Sequence, residues 1–155
     1  PTFGELSDKK TLIFSGAAAD PSCRNQKSLK NRIIKKKEAG AKFIQTQMVM
    51  KKENLIEFCE EISNPLEIPV IAGVFLLKSY KNALFINKFV PGANIPDNIL
   101  NRLKNAKDPL KEGIQIAAEQ AQDFMKIADG IHLMAVKAEH LIPEILEKAD
   151  LNLEY

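Results

Sequence analysis

Short apolar runs alternate with amphipathic stretches along the chain, and the alternation predicts strands and helices in strict succession. Four runs have strand character: Thr11–Ala18 (TLIFSGAA), Lys42–Gln47 (KFIQTQ), Pro69–Phe75 (PVIAGVF) and Gly130–Val136 (GIHLMAV). At 12–14, 70–74 and 131–136 the residues are largely apolar, the pattern of strands covered on both faces in a parallel sheet. The intervening stretches repeat with helical spacing. Gln26–Ala39 ends at Gly40, a residue type that closes helices because it adopts left-handed backbone freely. Glu53–Ile62 sets Leu55, Ile56, Cys59 and Ile62 on one face, and Ser79–Lys88 does the same with Tyr80, Ala83, Leu84 and Asn87. In Gly113–Ala128 an apolar seam runs through Ile114, Ala117, Ala118, Ala121, Phe124, Met125 and Ala128. Leu141–Ala149 predicts a closing helix.

Repeated strand–helix alternation implies an α/β fold with a parallel sheet and right-handed crossovers. The third crossover is long, from about Ser79 to Asp129, and holds a turn-rich break at Val90–Pro96 and a helix near Asn98–Ala106. Four βα units suit either a small open sheet or half of an eight-stranded barrel, and periodicity leaves both open. The 155 residues form a single domain by length.

Composition changes this picture little. Hydrophobic residues make up 45% and charged residues 27%, and a net charge of +2 gives no bulk attraction to nucleic acid or membrane. No run approaches the ~18 apolar residues of a membrane span. PTFGELSDKK lacks the layout of an export signal, so a cytoplasmic location is the expectation. Cys23 and Cys59 have no CxxC pairing and read as reduced thiols, and two histidines imply no metal cage.

Several short motifs occur in order. They are Gly16-Ala-Ala-Ala-Asp-Pro21, Lys36-Lys-Glu-Ala-Gly-Ala-Lys-Phe-Ile-Gln-Thr-Gln47, Pro69-Val-Ile-Ala-Gly-Val74, Val90-Pro-Gly92 with Ile95-Pro96, and Gly130-Ile-His132. Together they resemble the methylenetetrahydrofolate reductase family from about Gly16 to Leu151. The resemblance implies the last four units of a (β/α)8 barrel about 250 residues long. It also implies an N-terminal half-barrel outside these residues, in the same or a separate chain, without which the chain does not turn over. The implied reaction is FAD-dependent reduction of 5,10-methylenetetrahydrofolate to 5-methyltetrahydrofolate, with NADH or NADPH as electron donor. The family acid for N10, a glutamate on the first barrel strand, has no counterpart here, nor does its aspartate after the fourth strand. A non-catalytic half-barrel or partner subunit, assembling through open sheet edges with itself or with an electron-transfer subunit, is the alternative.

The resemblance also implies roles for individual residues. Gln47 would bind the pterin, since a neutral amide both donates and accepts. Asn82 stands where the family has a folate-touching Gln, and Ile86 where some members carry an aromatic residue that packs on substrate or nicotinamide. Lys35 and Lys36, with Arg32, would hold the FAD diphosphate by charge pairing. That role requires the basic helix to lie across the strand ends, since a regular barrel helix carries its C-terminal end away from them. Asp20 would approach the flavin, although Asp before Pro also suits a turn. Ala138 replaces a basic residue of some members, with Lys137 beside it. His132 reads from the strand pattern as a hydrogen-bonded core histidine, and His140 as a surface one.

Overall fold

The computed structural model describes residues 13–151. Four strands, β1 (Gly16–Ala19), β2 (Phe43–Met48), β3 (Val70–Phe75) and β4 (Gly130–Met134), form one parallel sheet in the order β1-β2-β3-β4. The helices are α1 (Gln26–Glu38), α2 (Lys52–Phe58) running into a π-helical turn at Cys59–Ser63, α3 (Tyr80–Phe89), α4 (Asp97–Asn105), α5 (Pro109–Phe124) and α6 (Ile142–Lys148) after a 3-10 turn at Glu139–Leu141. Strict sequential order with right-handed crossovers carries successive helices to one side of the sheet. The arrangement is the parallel βα architecture expected from the alternation.

Burial along β2 alternates. Ile44, Thr46 and Met48 are buried, while Phe43, Gln45 and Gln47 are half-buried. Ile44, Val70, Ala72 and Val74 join Leu29, Ile33, Leu55, Phe58, Ile114, Ala117, Ala121, Phe124 and Ile145 in the main core. A second apolar cluster joins Met48, Met50 and Leu77 to Ala83 and Ile86 of α3, Ile95, and Ile99 and Leu103 of α4. The long third crossover therefore has a core of its own.

Local chemistry explains the element ends. Asn25 caps α1 by accepting from the Ser28 amide at 2.8 Å. At the other end the Gly40 amide donates to Lys37 O at 2.9 Å and the Ala41 amide to Lys36 O at 3.0 Å, with Gly40 at φ +103°. This paired closure needs a left-handed residue, which glycine supplies without steric cost. Helix α5 starts at Pro109, four residues before the expected Gly113, because Asp108 accepts from the Leu110 and Lys111 amides, both at 3.1 Å. Gly113 lies inside the helix, where its missing Cβ lets α5 press against the Leu77 carbonyl.

The first strand is shorter than expected. Thr11 and Leu12 lie outside the described residues, and Ile13 and Phe14, 74% and 75% exposed, precede the first paired residue Gly16. The fourth strand stops at Met134 because Ala135–Ala138 forms a turn, with the Ala138 amide donating to Ala135 O at 2.8 Å and Lys137 at φ +56°. Among the described residues no helix is long and apolar enough to cross a membrane.

Candidate functional site

Strand β2 carries one more residue than β3 opposite it. Gln45 pairs with Ile71 and Met48 with Gly73, so Thr46 and Gln47 bulge out of the ladder. Thr46 repairs the interruption. Its hydroxyl accepts from the Gly73 amide at 2.8 Å and donates to Gln47 O at 2.7 Å, which leaves a side chain 4% exposed fully bonded. The Val49 amide then returns to Gly73 O at 2.9 Å. A Cβ at Gly73 would stand 2.8 Å from Gln47 O and 3.0 Å from Thr46 O, so the bulge needs glycine opposite it. Bulges commonly re-aim a side chain beside a binding site. Here Gln47 is re-aimed, and its Oε1 accepts from the Met48 amide at 3.0 Å, leaving the Nε2 hydrogens to point elsewhere.

Gln47 lines a concavity of about 660 Å³ together with Gln45, Phe43, Met134, Gly16–Asp20, and Leu29, Arg32 and Lys36 of α1. Four of the residues singled out in the sequence (Gln47, Asp20, Arg32 and Lys36) therefore meet at one site. Lys36 reaches it from an unexpected direction. Helix α1 does not lie across the strand ends: Ser15 Oγ donates to Gly40 O at 2.9 Å, which puts the helix terminus beside the start of β1. A helical side chain leans toward the helix N-terminus. The ammonium of Lys36 accordingly extends back up the strand and donates to Ala18 O. Its partner is a neutral carbonyl, so its charge is not cancelled. Arg32 Nη2 lies 3.3 Å from the Sγ of half-buried Cys23. Among the described residues no carboxylate forms an ion pair with Arg32, Lys35 or Lys36.

Asp20 is a turn residue as well as a rim residue. Its Oδ1 accepts from the Ser22 amide at 2.9 Å and its backbone carbonyl from the Cys23 amide at 3.1 Å. The segment after α3 comes to meet it. Gly92 has φ +84°, and a Cβ there would stand 2.5 Å from Asp20 Oδ2. Asn87 pins this segment by donating to Ile95 O at 3.0 Å and accepting from the Ile95 amide at 2.8 Å.

The remaining candidates lie elsewhere. Lys35 faces a separate recess with Asn25, Lys27, Ser28, Asn31 and Arg32. Asn82 Oδ1 accepts from the Lys78 amide at 3.1 Å, and its own amide donates to Ser79 Oγ at 3.1 Å, so it closes the first turn of α3. Ile86 is 4% exposed inside the second apolar cluster. Neither lines the concavity. Gln45 was not singled out in the sequence. It lines the concavity and its Nε2 lies 2.7 Å from Nδ1 of His132, so that histidine has the hydrogen-bond partner expected of it but is half-buried, like the rest of β4, and not a core residue. A polar residue at every second position of a strand was the available signal.

Sequential parallel strands, helices following each strand, and a concavity floored by strand backbone and a re-aimed amide define a barrel-type βα protein with an open concavity on the sheet. The chain belongs to the methylenetetrahydrofolate reductase family, whose family model matches residues 15–150. It is 32% identical to methylenetetrahydrofolate reductase 2 of Schizosaccharomyces pombe, over 77% of this chain and 20% of that protein. It is 28% identical to methylenetetrahydrofolate reductase 2 of Saccharomyces cerevisiae, over 88% of this chain and 23% of that one. The chain thus spans about a fifth of the length of the curated relatives it matches. Its fold is like that of an uncharacterized protein from Clostridium thermocellum that binds two copies of 5-methyl-5,6,7,8-tetrahydrofolic acid. The TM-score is 0.65 at 23% identity, covering 88% of this chain and 52% of that one.

Proposed function

We propose that the chain forms part of the folate and FAD sites of an enzyme that reduces 5,10-methylenetetrahydrofolate to 5-methyltetrahydrofolate, with NADH or NADPH as electron donor. The observation that carries the reading is the concavity itself, which a bulge-aimed Gln47 lines together with Lys36 and Arg32, two cations that have no carboxylate partner among the described residues. Family membership, and the folate bound by the Clostridium thermocellum protein of like fold, support the same reading.

The donor set suits an anionic diphosphate. Lys36 and Arg32 present positive charge beside strand backbone, and charge-assisted bonds to phosphate oxygens are about twice as strong as neutral ones. Lys35, on the neighbouring recess, adds long-range attraction. Asp20 repels phosphate and is placed to accept from a flavin hydroxyl instead. Bound FAD supplies the hydride chemistry, which no protein side chain can. Gln47 donates from Nε2 to the pterin and orients it. Asn82 and Ile86 act indirectly, by closing the first turn of α3 and seating it on α4.

The test uses the full-length protein. It is expected to purify with a flavin spectrum, to bleach with reduced nicotinamide under anaerobic conditions and to recover colour on addition of methylenetetrahydrofolate. Protein that takes up neither flavin nor folate would end the reading. One observation favours a non-catalytic partner subunit: exposed Phe14 stacks on Phe43 at 5.7 Å beside the β1 edge, a surface suited to assembly. Stable association without flavin uptake would support that alternative.

A further inference from the structure

Gln45 and His132 belong to strands that are not neighbours. Gln45 pairs with Ile71 of β3, and His132 with Gly73 of the same strand, so their 2.7 Å contact passes over β3. Gly73 offers no side chain to obstruct it. In the orientation the amide takes, Nε2 can only donate, so Nδ1 of His132 accepts and Gln45 Oε1 is turned away from the histidine. Among the described residues no protein group bonds to Gln45 Oε1 or to Gln47 Nε2. Neither atom is a buried orphan. Gln45 and Gln47 are two residues apart on β2, with the bulge at the second of them. Both line the concavity. The wall therefore presents an acceptor, Gln45 Oε1, and a donor, Gln47 Nε2, each held by the bond its other amide atom makes.

We infer that Gln45 is a second recognition residue and His132 its positioning residue, and that the pair of amides selects a lactam edge, a ring N–H beside a ring carbonyl. Gln45 Oε1 accepts from the ring N–H and Gln47 Nε2 donates to the carbonyl. This rests on the folate reading and deepens it. A 4-oxo pterin carries that edge. A 4-amino pterin carries the reverse order, an acceptor nitrogen beside an amino donor, and meets acceptor with acceptor and donor with donor. Sites that hydrogen-bond a specific group discriminate strongly, because a mismatch leaves buried polar atoms unpaired.

The experiment titrates full-length protein with tetrahydrofolate and with its 4-amino-4-deoxy counterpart. Wild type is expected to prefer the 4-oxo form by at least about tenfold, the worth of one well-made hydrogen bond. Gln45→Met and His132→Phe should each lose most of that preference by weakening 4-oxo binding alone. His132→Asn should recover it, since Asn Oδ1 stands near the position of Nδ1 and still accepts from Gln45. A merely structural role would not be rescued in this way or distinguish the two ligands. If Gln45→Met fails to fold, the two His132 variants carry the test. Variants that bind both ligands as wild type does would overturn this inference and leave the folate reading standing. Wild type that binds neither ligand would remove both.

Discussion

The backbone of Gly73 faces the carbonyl of Gln47 so closely that a methyl group on Gly73 would come within 2.8 Å of that oxygen. The two residues are a matched pair, one supplying the bulge and the other the space for it. Gly73→Ala is therefore expected to destabilise the protein by about 1–3 kcal/mol, the range for overpacking a filled interior. It should also weaken folate binding by shifting Gln47. Urea unfolding and ligand titration check the two effects, and a Gly73→Ala protein with unchanged midpoint and affinity would contradict the argument.

The two adjacent lysines of α1 should separate cleanly. Lys36→Met removes a charge that lines the concavity and should reduce flavin affinity about ten- to a hundredfold, from the 1.5–3 kcal/mol of a hydrogen bond to a charged group. Lys35→Met, on the outer recess, should change it by no more than about twofold at physiological salt, where an exposed charge is screened. Fluorescence quenching of added flavin distinguishes them, and equal losses from both would refute the placement of Lys36.

Gly92 has two reasons to be glycine, its positive φ and the carboxylate of Asp20 beside it. Gly92→Ala is expected to cost about 1–2 kcal/mol from backbone strain, with a further loss from the clash. Asp20→Ala in the same chain should relieve the clash and leave the strain. A double-mutant cycle measures the difference, and strict additivity would show that the two residues do not meet.

Arg102 grips Glu119 through two bonds of 2.6 and 3.1 Å and Glu112 through one of 2.6 Å, tying α4 to α5. These bonds hold the Glu119 carboxyl below the usual glutamate range and push the guanidinium up. A carboxyl with a depressed folded pKa stabilises the protein above its unfolded pKa, and that contribution disappears as pH falls through the folded value. The pair is partly exposed, so its contribution is about 1 kcal/mol or less. Glu119→Gln should lower the urea midpoint at pH 7 slightly and flatten its decline between neutral and acidic pH. A decline as steep as in wild type would assign the acid sensitivity to other groups.

Strand and helix identity was legible wherever packing follows periodicity. The seam of α5 fills the core through Ile114, Ala117, Ala118, Ala121 and Phe124, where the pattern put it, while Met125, expected on the same seam, lies just past the helix end and is exposed. Boundaries were harder. Asp108-Pro109 is a helix start in its own right, an N-cap followed by a residue that has no amide hydrogen to satisfy, yet the apolar seam drew the expectation to Gly113. At the first strand an apolar run read as buried lies mostly exposed at Ile13 and Phe14, since pattern records hydrophobicity and not what covers it.

The candidate site divides along the same line. Motif order brought Gln47, Lys36, Arg32 and Asp20 together. It also nominated Asn82 and Ile86, whose side chains are engaged within α3 and its packing, a matter of helix rotation that residue type does not record. Gln45 went unnoticed because its partner lies 87 residues away. The isolated Gly73 inside a strand was a visible hint of the bulge.

The second strand of the sheet has a division of labour. Along β2, Ile44, Thr46 and Met48 are packed into the interior while Phe43, Gln45 and Gln47 are left toward the concavity, so one side maintains the protein and the other is free to change with what it binds. Substitutions walked along β2 should therefore produce an every-other-residue phenotype, lost folding at Ile44, Thr46 and Met48, altered ligand preference at Phe43, Gln45 and Gln47. Such a surface can acquire a new ligand without unsettling the architecture that carries it.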